Sequence, residues 1–501
     1  MTKTTLDPTP TPATAANRTR HTSVLVVTCL ALGTVMAAMA SLNVALPSIA
    51  ADTHASQTSL SWVIDAYSLV FASLLLLGGA VGDRFGRRRA LLSGLTVFGL
   101  ASAVAPFTTS VTTLIGLRAV LGIGAALVMP ATLSTITGTF PRERRAAAVS
   151  VWAAVAGGSA VVGLLASGLL LQAWSWRSIF AVNVILAVLA TVGAAVVVPD
   201  SADPDAPRID LIGALVTVVG LSAVVYSIIE APDRGWGDAR TLVGIVFGVT
   251  VVGAFVAWEL HTEHPLLDPR LFAQPVFAAG TLSIGLQFFG FFGFVFVAMQ
   301  YLQLVRGDSA LMAAVSVLPM GAAMMPSSRL VPLLIPRVGA RACSVGGLVL
   351  ITIGLLLLAR LDRGSSYWLV LAGLVPLGAG MGLAMTPATS AVTDSLPPEL
   401  QGVGSAVNDL SRELGGALGI AVLGSLLSST YRSHLTLPGA PGPVLEQARS
   451  SLGVAAHLGG PVFARAQAAF VDGMHVAVLG AATATAVAAV LVAILLRPKT
   501  S

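Results

Sequence analysis

The segment LGIGAALVMPAT, residues 121–132, decides the fold because the chain contains it twice. The second copy, LGAGMGLAMTPAT, spans residues 377–389 and repeats both glycines, two leucines, the methionine and the Pro-Ala-Thr ending, with one inserted threonine. A further proline, Pro141 or Pro398, follows eleven residues after the proline of each copy. The chain therefore carries an internal duplication, and we expect the two copies to occupy equivalent positions in two related halves.

Both copies lie in strongly apolar surroundings. The 501 residues are 55% hydrophobic and only 10% charged, and the mean hydropathy is +0.87. This composition leaves too little polar surface for a soluble protein and indicates an all-α polytopic membrane protein. A helix needs about 20 apolar residues to cross a hydrocarbon core of about 30 Å. Fourteen segments meet this requirement: residues 24–45, 60–80, 89–106, 112–134, 147–170, 177–198, 210–230, 241–259, 276–298, 310–333, 340–360, 367–390, 402–428 and 472–496.

The positions of the two copies predict the domain organisation. The first copy leads from the fourth span to the fifth and the second from the twelfth to the thirteenth, so the halves are offset by eight helices. Two six-helix bundles separated by an inserted helix pair give this offset. A weaker repeat supports it, RFGRRR at 84–89 and RVGARA at 337–342. The predicted units are a disordered cytoplasmic tail (1–22), a first bundle (23–199), the inserted pair (200–265) and a second bundle (266–497) with a long external loop (431–471).

The charges predict orientation and exclude several partners. Most of the 28 lysines and arginines fall on one side of the predicted spans, and basic residues stay on the cytoplasmic side of short loops. Both termini are therefore expected in the cytoplasm of a bacterial cell whose inner membrane the chain crosses. The net charge of +5 is spread over short loops, which favours membrane lipid over nucleic acid as its partner. The two cysteines and seven histidines have no ligand spacing, so no metal is expected.

The chain has no recognisable energy-converting motif of its own. Its only lysines are Lys3 and Lys499, and neither follows the glycine-rich turn that a nucleotide-binding loop requires. No cofactor is expected, and an ion gradient or a separate subunit must drive uphill transport. Related six-helix halves are typical of carriers that bind substrate near the membrane midplane and rock around it. A membrane sensor or membrane enzyme is the remote alternative, since no nucleophile-base pair is present.

Several motifs resemble the major facilitator superfamily, in particular its fourteen-span drug:proton antiporters. They include GAVGDRFGRRRAL at 79–91, RAVLGIGAA at 118–126 and VNDLSRELGGALGIAVLGS at 407–425. The resemblance implies a monomeric secondary transporter, not an enzyme, that exports lipophilic compounds, cationic ones among them, in exchange for protons. Export of one metabolite, such as a self-made antibiotic or an amino acid, stays as the alternative. Two positions depart from the family: Ala38 replaces a common acid of the first span, and GLLASG at 163–168 lacks the proline usual in the fifth.

The resemblance assigns a conformational latch to the loop between the second and third spans. Its residues are Gly79, Asp83, Arg84, Gly86 and Arg87. In the family the aspartate engages a neighbouring helix, and the two arginines pair across the halves in one state. The alternative is a simple positive anchor on the cytoplasmic side, which explains the arginines but not the aspartate and glycines.

Charged residues inside predicted spans are the candidates for ion coupling. Asp65 lies about 8 Å below one face, and Asp409 and Glu413 lie about 10 and 16 Å from the other. Arg412 can compensate one of the carboxylates of Asp409 and Glu413. Desolvation and like-charge repulsion then favour protonation of the other carboxylate. The resemblance associates Arg118 with proton coupling. The alternative for each group is a satisfied structural pair.

Five residues are candidates for a substrate cavity. Three of them, Asn43, Trp62 and Tyr67, lie in stretches that match the family, LNVALP and WVIDAYSL. The other two, Phe288 and Phe292, belong to the aromatic run QFFGFFGFVF at 287–296. This run either lines a cavity, or faces lipid or packs against other helices.

Overall fold

The computed structural model describes residues 12–201, 210–262, 265–396, 401–439 and 441–496. Within these ranges the regular structure is helical and no strand occurs. The α-helices are α1 Pro12–Thr53, α2 Gln57–Phe85, α3 Arg87–Val104, α4 Val111–Thr139, α5 Arg142–Ala173, α6 Arg177–Val197, α7 Leu211–Arg234, α8 Ala239–Glu259, α9 Pro275–Gln300, α10 Ala310–Ser316, α11 Leu318–Leu358, α12 Tyr367–Thr393, α13 Gln401–His434, α14 Gly442–Ser450, α15 Leu452–Leu458 and α16 Gly460–Leu495.

Thirteen helical stretches of the described residues are long and apolar enough to cross a membrane. One of them, Ala310–Leu358, has 49 residues, about twice the length that one crossing needs. The backbone leaves the helical region inside it at Gly339, with φ 84° and ψ 156°. The stretch is therefore two helices that meet at this glycine, which accommodates the fourteen predicted spans.

The helices pack in two sets of six that repeat the same neighbours. In the first set α1 packs against α5 and α6, and α3 packs against α4 and α6. In the second set α9 packs against α13 and α16, and α11 packs against α12 and α16. The predicted pair of six-helix bundles is thereby confirmed.

The glycines of the duplicated segment explain why these neighbours repeat. A Cβ atom added to Gly122 would overlap the backbone of Tyr67 on α2, and one added to Gly378 would overlap the backbone of Met320 on α11. Small residues of this kind let two membrane helices approach to backbone contact. The sequence repeat is thus a repeat of close helix crossings.

The two halves join at one face of the molecule. The main contact lies between α2 and α13. Gln303 donates to the carbonyl of Val44 over 2.9 Å, and Ser451 donates to the carbonyl of Ala55 over 3.0 Å. These bonds lie at the ends of the spans remote from residues 83–89, whose side we call the arginine-rich face. The region where α2 meets α13 is called the α2–α13 joint below.

The inserted pair lies across this joint. Helix α7 packs against both α2 and α13, and α8 packs against α7. Asp233 forms a 2.7 Å ion pair with Arg432, and Trp236 donates to the hydroxyl of Ser429 over 3.1 Å. The insertion therefore contacts both halves.

Two predicted irregular segments contain helices. Helix α1 already begins at Pro12, so residues 12–22 of the predicted tail are helical instead of disordered. The segment 431–471 contains the end of α13, the short helices α14 and α15, and the start of α16. Residues 1–11, 202–209, 263–264 and 497–501 of the predicted units, and Pro398, lie outside the described residues.

Candidate functional site

Asp409, Arg412 and Glu413 form one cluster on α13, in which Glu413 is buried and the other two are partly buried. An Arg412 NH group lies 2.8 Å from Asp409 Oδ1, and Arg412 Nε lies 3.5 Å from Glu413 Oε1. The second oxygen of Glu413 has no hydrogen-bond partner, and this residue is only 1% exposed. One guanidinium is shared by two carboxylates, so the cluster carries one uncompensated negative charge when both are ionised.

Close packing of α9 on α13 holds this cluster in place. A Cβ atom added to Gly416 would lie 2.7 Å from the ring of Phe292. The ring of Phe288 lies 5.8 Å from the guanidinium carbon of Arg412 and 5.8 Å from the ring of Phe292. The structure thus places the two candidate phenylalanines between α9 and α13.

Asp65 lies on the face of α2 that meets α13. It is fully buried, and neither carboxylate oxygen has a hydrogen-bond partner among the residues that the structure describes. One helical turn away on either side, Ser61 lies against Gly424 and Leu69 packs with Ala421. Residues four apart share a helix face. The alternative of a satisfied hydrogen bond to a tyrosine or the backbone is therefore wrong for Asp65 in this conformation.

Arg118 lies on the opposite side of α2. Its Nε donates to the carbonyl of Val63 over 2.8 Å, and its guanidinium carbon lies 4.4 Å from the centre of the Tyr67 ring. Its other two guanidinium nitrogens have no partner, and no ion pair involves Arg118 among the described residues. Because Val63 and Tyr67 are two residues from Asp65, the helix separates the arginine from that carboxylate.

Tyr67 and Asn43 are buried near these groups. The Tyr67 hydroxyl donates to the carbonyl of Val35 on α1 over 3.1 Å. Asn43 donates to the carbonyl of Ala40 over 3.2 Å, while its own side-chain oxygen has no partner among the described residues. Tyr67 therefore connects α2 to α1, and its ring faces Arg118.

Trp62 belongs to a different cluster. Its indole nitrogen donates to Glu230 of α7 over 3.1 Å, and its ring lies 5.8 Å from the ring of Tyr226. Arg234 lies 3.4 Å from the other oxygen of Glu230. Sequence reasoning missed this contact, although Tyr226, Glu230 and Arg234 recur at every fourth position and so share one helix face.

The predicted latch residues make their contacts inside the first half. Arg87 Nε lies 3.3 Å from Asp83 Oδ1, and its NH1 donates to the carbonyl of Ser134 on α4 over 3.0 Å. Gly86 has a φ of 108°, and a Cβ atom on Gly79 would make ordinary contact with Pro130. In this conformation the loop fastens α2 and α3 to α4. Arg84 is exposed.

No group of three or more histidines, cysteines, aspartates and glutamates gathers at one point in the part of the chain that the structure describes.

Sequence and structure comparisons agree on the relatives of this chain. The Major Facilitator Superfamily model matches residues 28–420. Multidrug resistance protein Stp of Mycobacterium tuberculosis is 33% identical over 489 residues, covering 94% of this chain and 90% of that protein. A puromycin resistance protein of Streptomyces alboniger is 38% identical over 399 residues, covering 78% and 79%.

A solved structure shares the fold at low sequence identity. A bacterial homolog of the human lysosomal transporter Spinster, in an inward-facing and unoccupied conformation, has a TM-score of 0.68 and 16% identity, covering 97% of this chain and 98% of that one.

Proposed function

Because the chain belongs to the Major Facilitator Superfamily, we propose that it exports lipophilic drugs or antibiotics, cationic ones among them, from a bacterial cell in exchange for protons. The names of its relatives support the substrate class, since one is a multidrug resistance protein and another a puromycin resistance protein. The uneven placement of basic residues supports cytoplasmic termini and entry of substrate from the cytoplasmic side. We treat the monomer as the working unit, because each half already supplies part of the site.

The observation that carries proton exchange is the pair of incompletely satisfied carboxylates at the α2–α13 joint. Asp65 has no partner for either oxygen, and Glu413 has none for its second oxygen. An ionised carboxylate is costly in a dry, apolar place unless it is paired, so protonation stabilises both groups while the joint is closed. When the halves separate at this joint, water reaches the same groups and the proton can leave.

The shared arginine gives the cluster a way to exchange one cation for another. Arg412 compensates one negative charge of Asp409 and Glu413, which leaves one charge to be neutralised by a proton or by a cationic substrate. Because both occupants neutralise the same charge, each disfavours the binding of the other. Competition at one carboxylate, combined with alternating access, produces antiport.

Everted membrane vesicles with a preformed pH gradient test this proposal. Puromycin or ethidium should collapse part of the gradient in wild-type vesicles, and this response should be lost in Asp65→Asn and Glu413→Gln. Asp362→Asn is the matched control, because Asp362 is an exposed loop residue that accepts a 2.8 Å hydrogen bond from Ser365. If the wild type does not respond to any substrate, antiport is contradicted. If both variants respond as the control does, the assignment of these carboxylates is wrong.

Export of a single metabolite is the second candidate. It is favoured by the puromycin resistance relative, since that protein's name refers to one compound. A susceptibility panel in a host without its own pumps separates the two candidates. Protection against many unrelated lipophilic compounds supports multidrug export, and protection against one chemical class supports the dedicated exporter.

A further inference from the structure

A second polar site lies at the arginine-rich face, remote from the α2–α13 joint. A cavity of about 330 Å³ lies between the start of α1, the start of α3, the end of α4 and the segment that follows α6. Arg20, His21, Arg87 and Thr135 are among the residues that line it. All four elements belong to the first half, so the cavity does not depend on how the two halves are arranged.

The cavity carries excess positive charge. Arg20 forms no ion pair among the described residues and is exposed at the cavity mouth. The Nε atom of Arg87 lies 3.3 Å from Asp83, and its NH1 donates to the carbonyl of Ser134. Asp83 pairs with Arg87, and Asp200, which lies between the lining residues Pro199 and Ser201, lies 3.9 Å from Arg89. The charge of Arg20 is therefore not offset by any ion pair among the described residues.

The buried hydroxyl of Thr135 independently indicates that the cavity accepts a ligand. This residue is 3% exposed, and its hydroxyl has no hydrogen-bond partner within the described part of the chain. Buried hydroxyls are almost always hydrogen-bonded, because an unsatisfied one loses its interaction with water without replacement. A hydroxyl of this kind at the wall of a basic cavity indicates that an external acceptor completes it.

The backbone around the cavity is shaped to admit the arginine. A Cβ atom on Gly138 would lie 2.5 Å from the NH1 atom of Arg87, so the guanidinium packs directly against α4 at this glycine. The amide of Arg87 donates to the carbonyl of Ser201 over 2.9 Å and closes the opposite side. The ring of His21 lies 5.2 Å from that of Phe140, which fixes the start of α1 against α4.

We propose that this cavity binds a phosphate group. Planar guanidinium groups match phosphate oxygens with paired, charge-assisted hydrogen bonds, and a phosphate oxygen is a strong acceptor for a threonine hydroxyl. The phosphate belongs either to a membrane lipid, since the cavity lies at the end of the spans, or to a soluble phosphate compound. The bound group would tie α1, α3, α4 and the segment after α6 together.

Two binding measurements on the purified full-length protein distinguish the sources. Native mass spectrometry would compare phosphatidylglycerol with diacylglycerol, which has the same chains but no phosphate. Thermal unfolding would be followed with inorganic phosphate and glycerol 3-phosphate, against chloride at equal ionic strength. A phosphate-specific response in the first measurement identifies a lipid ligand, and a response only in the second identifies a soluble one.

Two variants test the residues of the cavity. Arg20→Gln and Thr135→Val should each weaken phosphate-dependent binding by about tenfold, the loss expected from one charge-assisted hydrogen bond. Arg337→Gln is the matched control, because it removes one exposed arginine from the equivalent loop of the second half. Unchanged thermal unfolding without ligand shows that the variants are folded. If neither ligand distinguishes the two cavity variants from the control, the site is refuted. The result is independent of the proposed transport function, because it reads binding alone.

Discussion

Gly86 in the first half and Gly339 in the second make the same turn at equivalent points of the repeat. Both have positive φ angles, 108° and 84°, and both follow an arginine by two residues. The side chains of the ion pair beside the first turn are not repeated. Asp83 and Arg87 of the first half correspond to Pro336 and Ala340 in the second. The duplication therefore retains the backbone turn, whereas the second half has no counterpart of the Asp83–Arg87 ion pair.

The charged residues inside the spans also differ between the two halves. The repeat aligns Asp65 with Leu318, Arg118 with Leu374, and Glu413 with Ala156, so each charged group has an apolar counterpart. Because α2 meets α13 across the joint, the acid of the first half and the cluster of the second lie along one interface. The duplicated helix packing therefore forms a frame that both halves share, and the site depends on charged residues that differ between the halves.

The largest expected effect tests whether the frame is shared. A Cβ atom on Gly124 would lie 2.7 Å from the carbonyl oxygen of Gly94, and one on Gly380 would lie 2.5 Å from that of Gly347. Leucine at either position must separate two helices that touch through their backbones, which exceeds the about 1–3 kcal/mol of ordinary overpacking. Gly124→Leu and Gly380→Leu should both abolish the monodisperse peak in size-exclusion chromatography.

Open glycines provide the control for that experiment. Gly116 on α4 and Gly346 on α11 have nothing within 4 Å of an added Cβ atom. Leucine at these positions should leave the elution profile unchanged. If only one half is sensitive to its buried glycine, the two frames are not equivalent.

The next largest effect distinguishes Arg412 from Arg118 by the stability that each substitution costs. Arg412→Met leaves Asp409 and Glu413 without compensation, and breaking a buried pair in this way costs about 3–5 kcal/mol. Arg118→Met loses one bond to the Val63 carbonyl but also removes an unpaired buried charge, so stability should change by less than about 1 kcal/mol. Thermal unfolding followed by tryptophan fluorescence measures both. Equal destabilisation by the two substitutions would mean that Arg118 has an ionic partner.

Much of the frame could be predicted from sequence, because it depends on short-range patterns. Runs of apolar residues specify the spans, and the repeated glycines specify which helices touch. The pairing of Arg412 with Asp409 also follows from their spacing on one helix. The contact of Trp62 with Glu230 could not be predicted in this way. It depends on where the inserted pair lies against α2, and residue spacing within α2 does not contain this information.

Arg118 shows the same limit in another form. Its depth in a span predicts a partner, but a carbonyl on a neighbouring helix and the face of Tyr67 have no sequence signature. The helical start of α1 was also not predictable, since residues 12–22 lack an apolar face and their proline and threonine content resembles that of a tail.

A smaller effect compares the two turns directly. Alanine at Gly86 or Gly339 must adopt a positive φ, which costs about 1–2 kcal/mol for a residue with a Cβ atom. At Gly86 the new Cβ atom would also lie 3.1 Å from a carboxylate oxygen of Asp200, whereas nothing lies within 4 Å at Gly339. Gly86→Ala should therefore lower the unfolding temperature more than Gly339→Ala. The reverse order would show that the turn of the second half is the more constrained one.

The smallest effect concerns the threonine that ends each copy of the repeat. Thr132 accepts a 3.0 Å hydrogen bond from the indole of Trp152 on α5, and Thr389 donates a 3.0 Å hydrogen bond to the Asn408 side chain on α13. Such bonds between membrane helices are worth about 0.6 kcal/mol on average. Thr389→Val should cost about this much, and Thr132→Val somewhat more, because it leaves a buried indole nitrogen without a partner.

Thr483→Val is the reference for this pair, since the Thr483 hydroxyl is exposed and bonds only within α16, to the Leu479 carbonyl. Thermal unfolding of the three variants should rank Thr132 as most affected and Thr483 as least. If Thr132→Val and Thr389→Val are both indistinguishable from the reference, the polar contacts at the two crossings add nothing measurable. The glycines alone would then hold α4 and α12 in their equivalent places.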